Sequence, residues 1–492
     1  MPNKIDWQKA ASPAEAVDKL ILFYSQSATA LRKAFKAFVE EGRIPPGPGH
    51  FGYPSLRIVY APDGVVPAIS LAFGTLKTPG IYEADIAHPA LYKDYLIKQL
   101  SLLVERYDVD IFVSISTNDI PYPFVLENTD GVDAETTPPA ELARYFPIPD
   151  LAVINNDLAD GYHATPSSIV GEEMSSRPLS LFSALRTDYS LQRLKHYTGT
   201  NPEDFQKFIL FTNYHRYMDE FVQIGLEKLQ GENGYQEFVA PGGVRVKAEM
   251  KGAASTIQQS PWRQHQMPAY HLTAPDGGGI TLVNIGVGPS NAKTITDHLA
   301  VLRPQCWIMV GHCGGLRHSQ RLGDYVLAHA YLRLDGVLDS VLPPDIPVPP
   351  IAEVQLALNE AATRVTGDDG HLLKQRLRTG TVVTQADRNW ELRFRDEART
   401  LDRARAVAID MESATIAANG YRYRVPYGTL LCVSDKPLHG EIKLPGAANR
   451  FYERAIEEHM KIGIEALEIF RREGASSLHS RKLRSFDEPP FR

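Results

Sequence analysis

The sequence predicts an α/β protein with a central, mostly parallel twisted mixed sheet flanked by helices, and a smaller α+β domain at the N-terminus. From about residue 240 onward, apolar strand-like runs alternate with helical segments, a pattern typical of such sheets. The chain of 492 residues is also too long for a single hydrophobic core of typical size. Its first part contains helices and strands without this alternation, which indicates a second domain.

The N-terminal region opens with a strong helix signal. Ser12-Pro13-Ala14-Glu15 has the form of a capping box with proline at the first helical position, and Gly42 is a natural stop, so one long helix is predicted over residues 12–42. An amphipathic helix is predicted over residues 89–106, where leucines recur at helical spacing. Strands are predicted at four short apolar runs: 56–60, 68–73, 110–114 and 151–154.

A change in composition follows this region. Residues 156–180 are rich in Asn, Asp, Gly, Ser and Pro and are predicted to be a linker. Two helical patterns come next, at about 188–197 and 202–230, and the second begins with a cap followed by proline. The alternating pattern then comprises strands at 281–287, 305–310, 325–330 and 380–384, a helix from 290 to about 302, and a closing helix at 447–472.

These patterns divide the chain into three predicted regions. Residues 1–180 form the N-terminal α+β domain and linker, residues 181–475 form the α/β domain with its preceding helices, and residues 476–492 form a polar C-terminal tail. The N-terminal domain contains no phosphate-binding loop and no recognisable nucleophile motif. Any chemistry is therefore expected in the α/β domain.

Composition excludes several classes of protein. Hydrophobic residues make up 43% and charged residues 23% of the chain, as in ordinary soluble globular proteins. The formal net charge of −7 gives no basic excess, so no nucleic-acid partner is expected. The sequence has no long apolar run and no signal peptide, so a cytoplasmic protein without a membrane partner is expected. Cys306, Cys313 and Cys432 form no metal-binding pattern, and neither a metal nor a cofactor is expected.

The most informative feature is a pair of acidic strand ends. One apolar run, residues 405–412, ends in Asp410 and Glu412, and the next, residues 427–435, ends in Asp435. Enough residues lie between them for one helical crossover. Because ligands bind at the carboxyl edge of an open α/β sheet, we expect Glu412 and Asp435 to lie where a ligand binds.

Five motifs connect this feature to a known family. They are the segments 284–293, 310–315, 322–326, 410–414 and 433–435. In this order they resemble the nucleoside phosphorylase/nucleosidase family, whose members cleave purine N-glycosidic bonds, although one motif alone would be weak evidence. The resemblance implies the family's α/β fold and places the glycine turns at Gly286 and Gly311 in the substrate site.

Two carboxyl groups can together assist the cleavage of a glycosidic bond. The sugar passes through an oxocarbenium-like cation, which a carboxylate under the ribose stabilises, while a second acid protonates the departing base. The resemblance gives Glu412 the ribose role and Asp435 the proton-donor role at N7, with Met411 packed on the sugar. An isolated Asp at a strand end is more often a helix cap or an ion-pair partner, but the two motifs together favour catalysis.

Two departures from the family pattern indicate hydrolysis. Met309 occupies the position where family phosphorylases often carry a phosphate-binding Arg, and His312 lies where a phosphate-binding hydroxyl is common. A site without that Arg binds free phosphate poorly as a nucleophile, which favours water.

The chain is about twice as long as the simple members of the family. Three further segments, 186–191, 196–200 and 211–217, resemble the bacterial AMP nucleosidases. That resemblance implies the reaction AMP + H2O → adenine + ribose 5-phosphate. It also implies an N-terminal regulatory domain, ATP and phosphate as effectors, and a homo-oligomer, by resemblance a hexamer.

A 5′-monophosphate needs cationic partners, and several are present. The candidates are Arg263, His265, Lys443 and Arg450. His215, predicted in the middle of helix 202–230, is another, although a buried structural histidine is an equal alternative. Lys436 is better explained as a solvated surface charge.

The adenine pocket is predicted at the end of strand 380–384. Gln385 and Asp387 could hydrogen-bond the base and Trp390 could stack on it, or the segment is an ordinary surface turn. No residue is identified that activates water. Two other functions stay open: a purine nucleoside phosphorylase or other purine nucleosidase with an added domain, and a non-catalytic purine-nucleotide sensor. The retention of both Glu412 and Asp435 argues against the sensor.

Overall fold

The computed structural model describes residues 6–62, 73–126, 138–161, 176–231, 234–442, 449–474, 477–478, 483–486 and 488–491. For residues 449–454 only the backbone is described. The chain divides into two compact units: unit 1 comprises Met1–Gln192 and Arg484–Arg492, and unit 2 comprises Arg193–Leu483. No helix within the described ranges is both long and apolar enough to cross a membrane.

Unit 1 is an α+β unit around one small sheet. Its strands are β1 (Gln8–Ala10), β2 (Gly52–Tyr60), β3 (Gly80–Asp85), β4 (Val109–Asp119) and β5 (Arg177–Pro178). Its helices are α1 (Pro13–Glu41), α2 (Lys93–Arg106), α3 (Pro139–Tyr145) and α4 (Asp157–Asp160), and α5 (Ala184–Thr198) begins in this unit. The strand order is β1-β4-β2-β3-β5, with antiparallel pairing except between β3 and β5.

The long helix predicted over residues 12–42 is confirmed as α1. The amide of Glu15 donates to the Ser12 hydroxyl at 3.2 Å, and Gly42 ends the helix in the left-handed region at φ 66°. Leu20 on its inner face is fully buried and packs in one hydrophobic core with Leu56 of β2. The capping residues set the length of the helix, and the apolar stripe attaches it to the sheet.

Other predictions for this region are corrected or lie beyond the description. The strand predicted at 151–154 is wrong: these residues form turns, because the amides of Val153 and Ile154 donate back to the Asp150 carbonyl, and Leu151 is 71% exposed. Residues 68–72 of another predicted strand lie outside the described residues. At the end of the predicted tail, Phe491 is 1% exposed and its amide donates to the Leu179 carbonyl at 2.9 Å, so this residue belongs to the core of unit 1.

Unit 2 contains the predicted α/β sheet. Its strands are β6 (Phe208–Thr212), β7 (Glu237–Ala240), β8 (Val244–Val246), β9 (Ala269–Thr273), β10 (Ile280–Asn284), β11 (Cys306–Gly315), β12 (Tyr325–Leu334), β13 (Leu377–Gln385), β14 (Ala406–Asp410) and β15 (Tyr427–Asp435). Its helices are α6 (His215–Gln230), α7 (Ala253–Gln258), α8 (Pro289–Leu299), α9 (Ala352–Thr366), α10 (Gly370–Arg376), α11 (Phe394–Arg403), α12 (Ser413–Tyr423) and α13 (Asn449–Glu473).

The order of the strands explains where the acidic residues meet. The sheet runs β14-β13-β12-β15-β11-β6-β10-β9-β7-β8, with a parallel centre formed by β15, β11, β6 and β10. β14 also pairs with β11, so β11, β15, β12, β13 and β14 close into a ring. At this closure Gly314 of β11 pairs with Ile409 of β14 and with Asp435 of β15. The ends of β14 and β15 therefore lie on either side of the end of β11.

The helix predicted over residues 202–230 is wrong in its first half. Residues 202–204 make a single helical turn, β6 follows as a central strand, and α6 starts only at His215. Phe208, Leu210 and Phe211 are 0–3% exposed because β6 is covered on both faces between β10 and β11. A short, continuous apolar run of this kind has no alternation that distinguishes a strand from a buried helix.

Candidate active site

Glu412 is the point at which three segments of unit 2 converge. It lies between the end of β14 and the start of α12, and it is fully buried. One carboxylate oxygen accepts a hydrogen bond from the Asn213 side chain, after β6, at 2.9 Å, and the other accepts from the Gly288 amide, after β10, at 2.6 Å. Both donors are neutral and come from residues far away in the sequence.

A second buried carboxyl group lies two residues earlier. Asp410 accepts hydrogen bonds from the Thr384 hydroxyl at 2.6 Å, from the Ser413 amide at 2.9 Å and from the Ser413 hydroxyl. These bonds tie the end of β14 to β13 and to the first turn of α12. Burial raises the pKa of Asp410 despite these donors.

The two carboxyl groups disfavour each other's ionisation. Burial and the neighbouring charge of Asp410 raise the pKa of Glu412 to about 8, although the Gly288 amide and the Asn213 side chain act in the opposite direction. A buried carboxyl pair with raised pKa values at a strand end is a candidate functional site. The sequence motif contained Asp410, but it gave no role to this residue.

Asp435 is the last residue of β15 and is partly exposed, unlike Glu412. Its Oδ1 accepts a hydrogen bond from the Ser434 hydroxyl at 2.5 Å. It faces the same end of β11 as Ile409, three residues before Glu412, because both pair with Gly314. Asp435 and the strand end that precedes Glu412 thus flank the same residue of β11.

The two predicted glycine turns contribute backbone to this place. Gly286 and Gly288 have φ of 66° and 114°, conformations that favour glycine, and they lead into α8. Gly311 lies where β11 passes Asn213, and a Cβ atom there would be 2.6 Å from the Met309 side chain and 3.1 Å from Asn213 Oδ1. A side chain at Gly311 would therefore displace a partner of Glu412.

Met309 and His312 have distinct surroundings. Met309 is fully buried, so no cation stands at this position. The His312 ring is 8% exposed and lies between the rings of Tyr214 and Tyr217, with centroid distances of 4.8 and 5.3 Å. Behind it, Tyr217 and His459 Nδ1 hydrogen-bond at 2.6 Å, which anchors the wall on which His312 packs.

The predicted phosphate ligands separate into groups. The Arg263 guanidinium stacks over the Trp262 ring at 4.3 Å, and that ring lies 5.2 Å from the ring of His215. His215 is not in mid-helix but is the first residue of α6, and its Nδ1 lies 3.1 Å from the Asn284 amide nitrogen, at the start of the glycine turn. His265 packs on the backbone of Gly199 instead.

Three other lysine and arginine residues were considered in the sequence, and the side chains of two of them are not described. Lys443 lies outside the described residues, and Arg450 is in the first turn of α13 with its side chain outside the description. Lys436 is 5% exposed and forms an ion pair with Glu441 at 2.7 Å, so the surface position expected for it is wrong. No group of residues in the described ranges is arranged to hold a metal ion.

The residues predicted to bind the base make hydrogen bonds and packing contacts within the protein. The Gln385 side chain accepts from the Asp387 amide at 3.3 Å, and Asp387 in turn accepts from the Asn389 amide at 2.9 Å. Trp390 is 7% exposed and belongs to a hydrophobic cluster with Val383 of β13. These contacts favour a structural turn, and they leave little of the indole ring for stacking on a base.

Sequence reasoning missed three polar residues, of which two bond to the carboxyl pair and the third, Asn284, accepts from the Gly286 amide in the glycine turn. Asn213, Asn284 and Thr384 each stand at or directly after the end of a buried strand. That position was the available signal for Thr384 and Asn284, whereas Asn213 was hidden by the wrong assignment of β6 to a helix.

Comparisons with known proteins give a consistent result. Residues 15–168 match the family model described as bacterial AMP nucleoside phosphorylase N-terminus, and residues 244–468 match the phosphorylase superfamily. The chain is 55% identical over 487 residues to the AMP nucleosidases of Escherichia coli K12 and O157:H7, and covers 98% of either chain in each comparison. A solved structure, AMP nucleosidase from Bacteroides thetaiotaomicron, is 30% identical with a TM-score of 0.41, covering 58% of this chain and 99% of that one.

Proposed function

Because the chain belongs to the AMP nucleosidase family, we propose that it hydrolyses the N-glycosidic bond of AMP, releasing adenine and ribose 5-phosphate, at the edge where Glu412 and Asp435 meet. The observation that carries this assignment of the site is the double pairing of Gly314 with Ile409 and Asp435. This pairing supports the assignment because Asp435 and the strand end that precedes Glu412 flank the same residue of β11. Cleavage through a sugar cation with an acid-assisted leaving group uses two carboxyl groups.

Asp435 is the proposed general acid. Adenine leaves poorly as an anion, and a proton delivered to N7 as the bond to C1′ breaks makes the leaving group neutral. Asp435 is accessible to a ligand, since it ends its strand and is not fully buried. The Ser434 hydroxyl on Oδ1 fixes the orientation of the carboxyl group.

Glu412 is the proposed ribose ligand. A carboxylate on the sugar hydroxyls stabilises the positive charge that develops on the ring. The Asn213 and Gly288 donors hold the carboxyl group in place. Since only the ionised form supplies this charge, the raised pKa of about 8 makes the free protein less active at lower pH.

Water rather than phosphate is the proposed nucleophile. Phosphorolysis requires a bound anion, and the position that supplies an Arg in family phosphorylases holds the fully buried Met309.

Recognition of the 5′-phosphate is proposed for Arg263 and His215. The stacked arrangement of Arg263 on Trp262 and of Trp262 on His215 leads directly to Asn284 and the glycine turn that contacts Glu412. Arg450 and Lys443 remain proposals from the sequence, as do contacts of Gln385 and Asp387 with the base. Charge-assisted bonds to a phosphate would contribute about 1.5–3 kcal/mol each.

Regulation and assembly are proposed on the resemblance alone. Residues 1–180 would form the regulatory domain, with ATP and phosphate as effectors, and the enzyme would work as a cytoplasmic homo-oligomer. The match of residues 15–168 to the N-terminal family model supports a domain specific to this family. An effector acts only by binding two states unequally, so ATP should change the rate without being consumed.

Product analysis tests the proposal. The protein is incubated with AMP, with and without ATP, and adenine and ribose 5-phosphate are measured as equimolar products. Parallel incubations with adenosine or inosine plus phosphate test for ribose 1-phosphate. Formation of ribose 1-phosphate as the main product would identify a phosphorylase, and the absence of any base release would favour a nucleotide sensor.

A further inference from the structure

Helices α8 and α12 both begin beside Glu412, and they contact each other again further along their length. Helix α12 starts directly after Glu412, and α8 starts directly after Gly288, whose amide donates to the Glu412 carboxylate. About 13 Å along α8, at a rise of about 1.5 Å per residue, Asp297 faces α12. The helices are therefore joined at their starts through Glu412 and again two to three turns later through Asp297.

The Asp297 carboxylate receives donors from both helices. Its Oδ1 accepts from the Asn419 side chain at 2.9 Å and from the Tyr423 hydroxyl at 2.8 Å, both on α12. Its Oδ2 accepts from Lys293 on its own helix at 2.5 Å, and the Arg422 guanidinium lies 3.7 Å from Oδ1.

Burial makes this junction specific. Asn419 is 0%, Tyr423 3% and Arg422 5% exposed, so these polar groups have been removed from water. Burial alone would raise the pKa of Asp297, but Lys293, Tyr423 and Arg422 lower it below its ordinary value, which keeps the carboxylate ionised. A charged acceptor shared by buried donors permits one arrangement of the two helices and disfavours sliding.

We propose that Asp297 is a positioning residue for Glu412, which holds α8 against α12 so that the Gly288 amide stays on the Glu412 carboxylate. The proposal rests on the ribose role proposed above for Glu412. Hydrogen bonds within α8 transmit the restraint from Asp297 to the glycine turn, whose left-handed residues give it little stiffness of its own. Asp297 itself contacts no reacting group.

The proposal predicts a change in ionisation as well as in rate. The groups that act on Glu412 are the Asp410 charge and the Met411 amide on its own segment, the Asn213 side chain from the end of β6, and the Gly288 amide from the turn before α8. If the Gly288 amide moves away, the carboxylate loses one of the donors that favour its ionised form. Glu412 then ionises at higher pH, and the acid limb of the kcat/KM profile moves upward.

Asp297→Ala and Asp297→Asn test this in the full-length protein. The alanine variant removes every contact of the carboxylate, whereas asparagine keeps an oxygen for Asn419 and Tyr423. We expect Asp297→Ala to move the acid limb up by about one pH unit and Asp297→Asn to restore most of the wild-type profile. Lys293→Ala is the matched control, because it removes only the partly exposed partner on α8 and should leave the limb in place.

A second measurement does not depend on catalysis. Amide hydrogen exchange at residues 286–288, followed by mass spectrometry, should be about tenfold faster in Asp297→Ala than in the wild type and unchanged in Lys293→Ala. If the alanine variant fails to fold, Tyr423→Phe removes a single bond to Oδ1 and should produce a smaller change of the same sign.

The outcomes separate two hypotheses. Wild-type exchange at 286–288 together with an unmoved limb in Asp297→Ala, or in Tyr423→Phe if it is the variant that folds, overturns the positioning role. A merely structural residue would lower the melting temperature without either change. Wild-type turnover of Glu412→Gln would instead remove the ribose role, while the exchange result would still decide whether Asp297 holds the turn.

Discussion

Each unit of the protein contains a completely buried carboxylate, and the two carboxylates differ in the partners that surround them. Asp188 in unit 1 accepts from the Tyr53 hydroxyl at 2.5 Å and lies 2.7 Å from the imidazole of His88, which can carry a positive charge. Glu412 in unit 2 is held by the neutral donors Asn213 and Gly288 and stands beside a second carboxyl group, Asp410.

The difference indicates which carboxylate is structural. A buried charge with a partner that can neutralise it contributes to one defined arrangement of helices and strands, and its removal costs stability. A buried charge without such a partner is unfavourable on its own, and it is expected where the unfavourable state is used in a reaction. This criterion agrees with a structural role for Asp188 in unit 1 and with the catalytic role proposed for Glu412 in unit 2.

The largest effect is expected from the carboxyl group that is not buried. Asp435→Asn keeps the size of the side chain but cannot donate an acidic proton, so kcat for AMP hydrolysis should fall by about 10²–10⁴-fold while AMP binding is retained. Adenine release and equilibrium binding of AMP measure the two separately. Asp345→Asn, at an exposed turn of unit 2, serves as the matched control. An activity within a factor of two of the wild type would remove Asp435 from the mechanism.

Exchanging the two buried carboxylates for amides should separate activity from stability. Glu412→Gln should lower kcat/KM by about 10²-fold, because the sugar cation loses its charged partner, with a larger loss for AMP than for 2′-deoxy-AMP. Asp188→Asn should cost about 2 kcal/mol of unfolding free energy, since His88 loses its partner, and should leave the residues of the active site unchanged. Turnover and thermal unfolding are measured for both variants. Equal losses of activity with both substrates in Glu412→Gln would contradict the ribose role.

The residues proposed to bind the 5′-phosphate are tested by comparing AMP with adenosine as substrates. Arg263→Ala should lower kcat/KM for AMP by about 10–100-fold and change the low activity on adenosine little, because only AMP has a phosphate to lose a charge-assisted bond. Arg399→Ala, on the exposed face of α11, is the matched control for net charge. A wild-type protein with comparable kcat/KM for AMP and adenosine would exclude a phosphate pocket altogether.

Much of the fold follows from local signals in the sequence. The cap at Ser12 and the stop at Gly42 define α1, and the alternation after residue 240 gives the mixed α/β sheet. β6 was missed because its residues are apolar without interruption, and only its place between β10 and β11 makes it a strand. That error moved Asn213 from a strand end, where it contacts Glu412, into the middle of a predicted helix.

The topology gives a different reason from the predicted one for the positions of Glu412 and Asp435. Glu412 and Asp435 were expected together because consecutive strands of a parallel sheet end at one edge. In the structure β14 and β15 each pair with the end of β11, and β14 does so in the antiparallel direction. Closure of the ring, which depends on contacts between distant segments, cannot be derived from the local pattern around residues 405–436.

The smallest expected effect concerns the influence of the Asp410 charge on the pKa of Glu412. It tests the comparison between the two buried carboxylates most directly. Burial and the Asp410 charge raise the pKa of Glu412 from its ordinary value of 4.5 to about 8. Asp410→Asn removes the like charge, so Glu412 should ionise more easily and the acid limb of kcat/KM should move from about pH 8 to lower pH by about one unit. Glu412→Gln should abolish the limb.

The raised pKa of Glu412 also predicts how the stability of the folded protein depends on pH. Because the pKa of Glu412 is higher in the folded protein than in the unfolded chain, the folded state keeps a proton between pH 4.5 and about 8 that the unfolded chain releases. The contribution of Glu412 to stability is therefore full below pH 4.5 and is lost as the pH rises through 8. Asp410→Asn should narrow this window and flatten the fall in melting temperature across it. A limb that stays near pH 8 in this variant would mean that another group titrates there, and Glu412 would lose its place as the charge that the reaction uses.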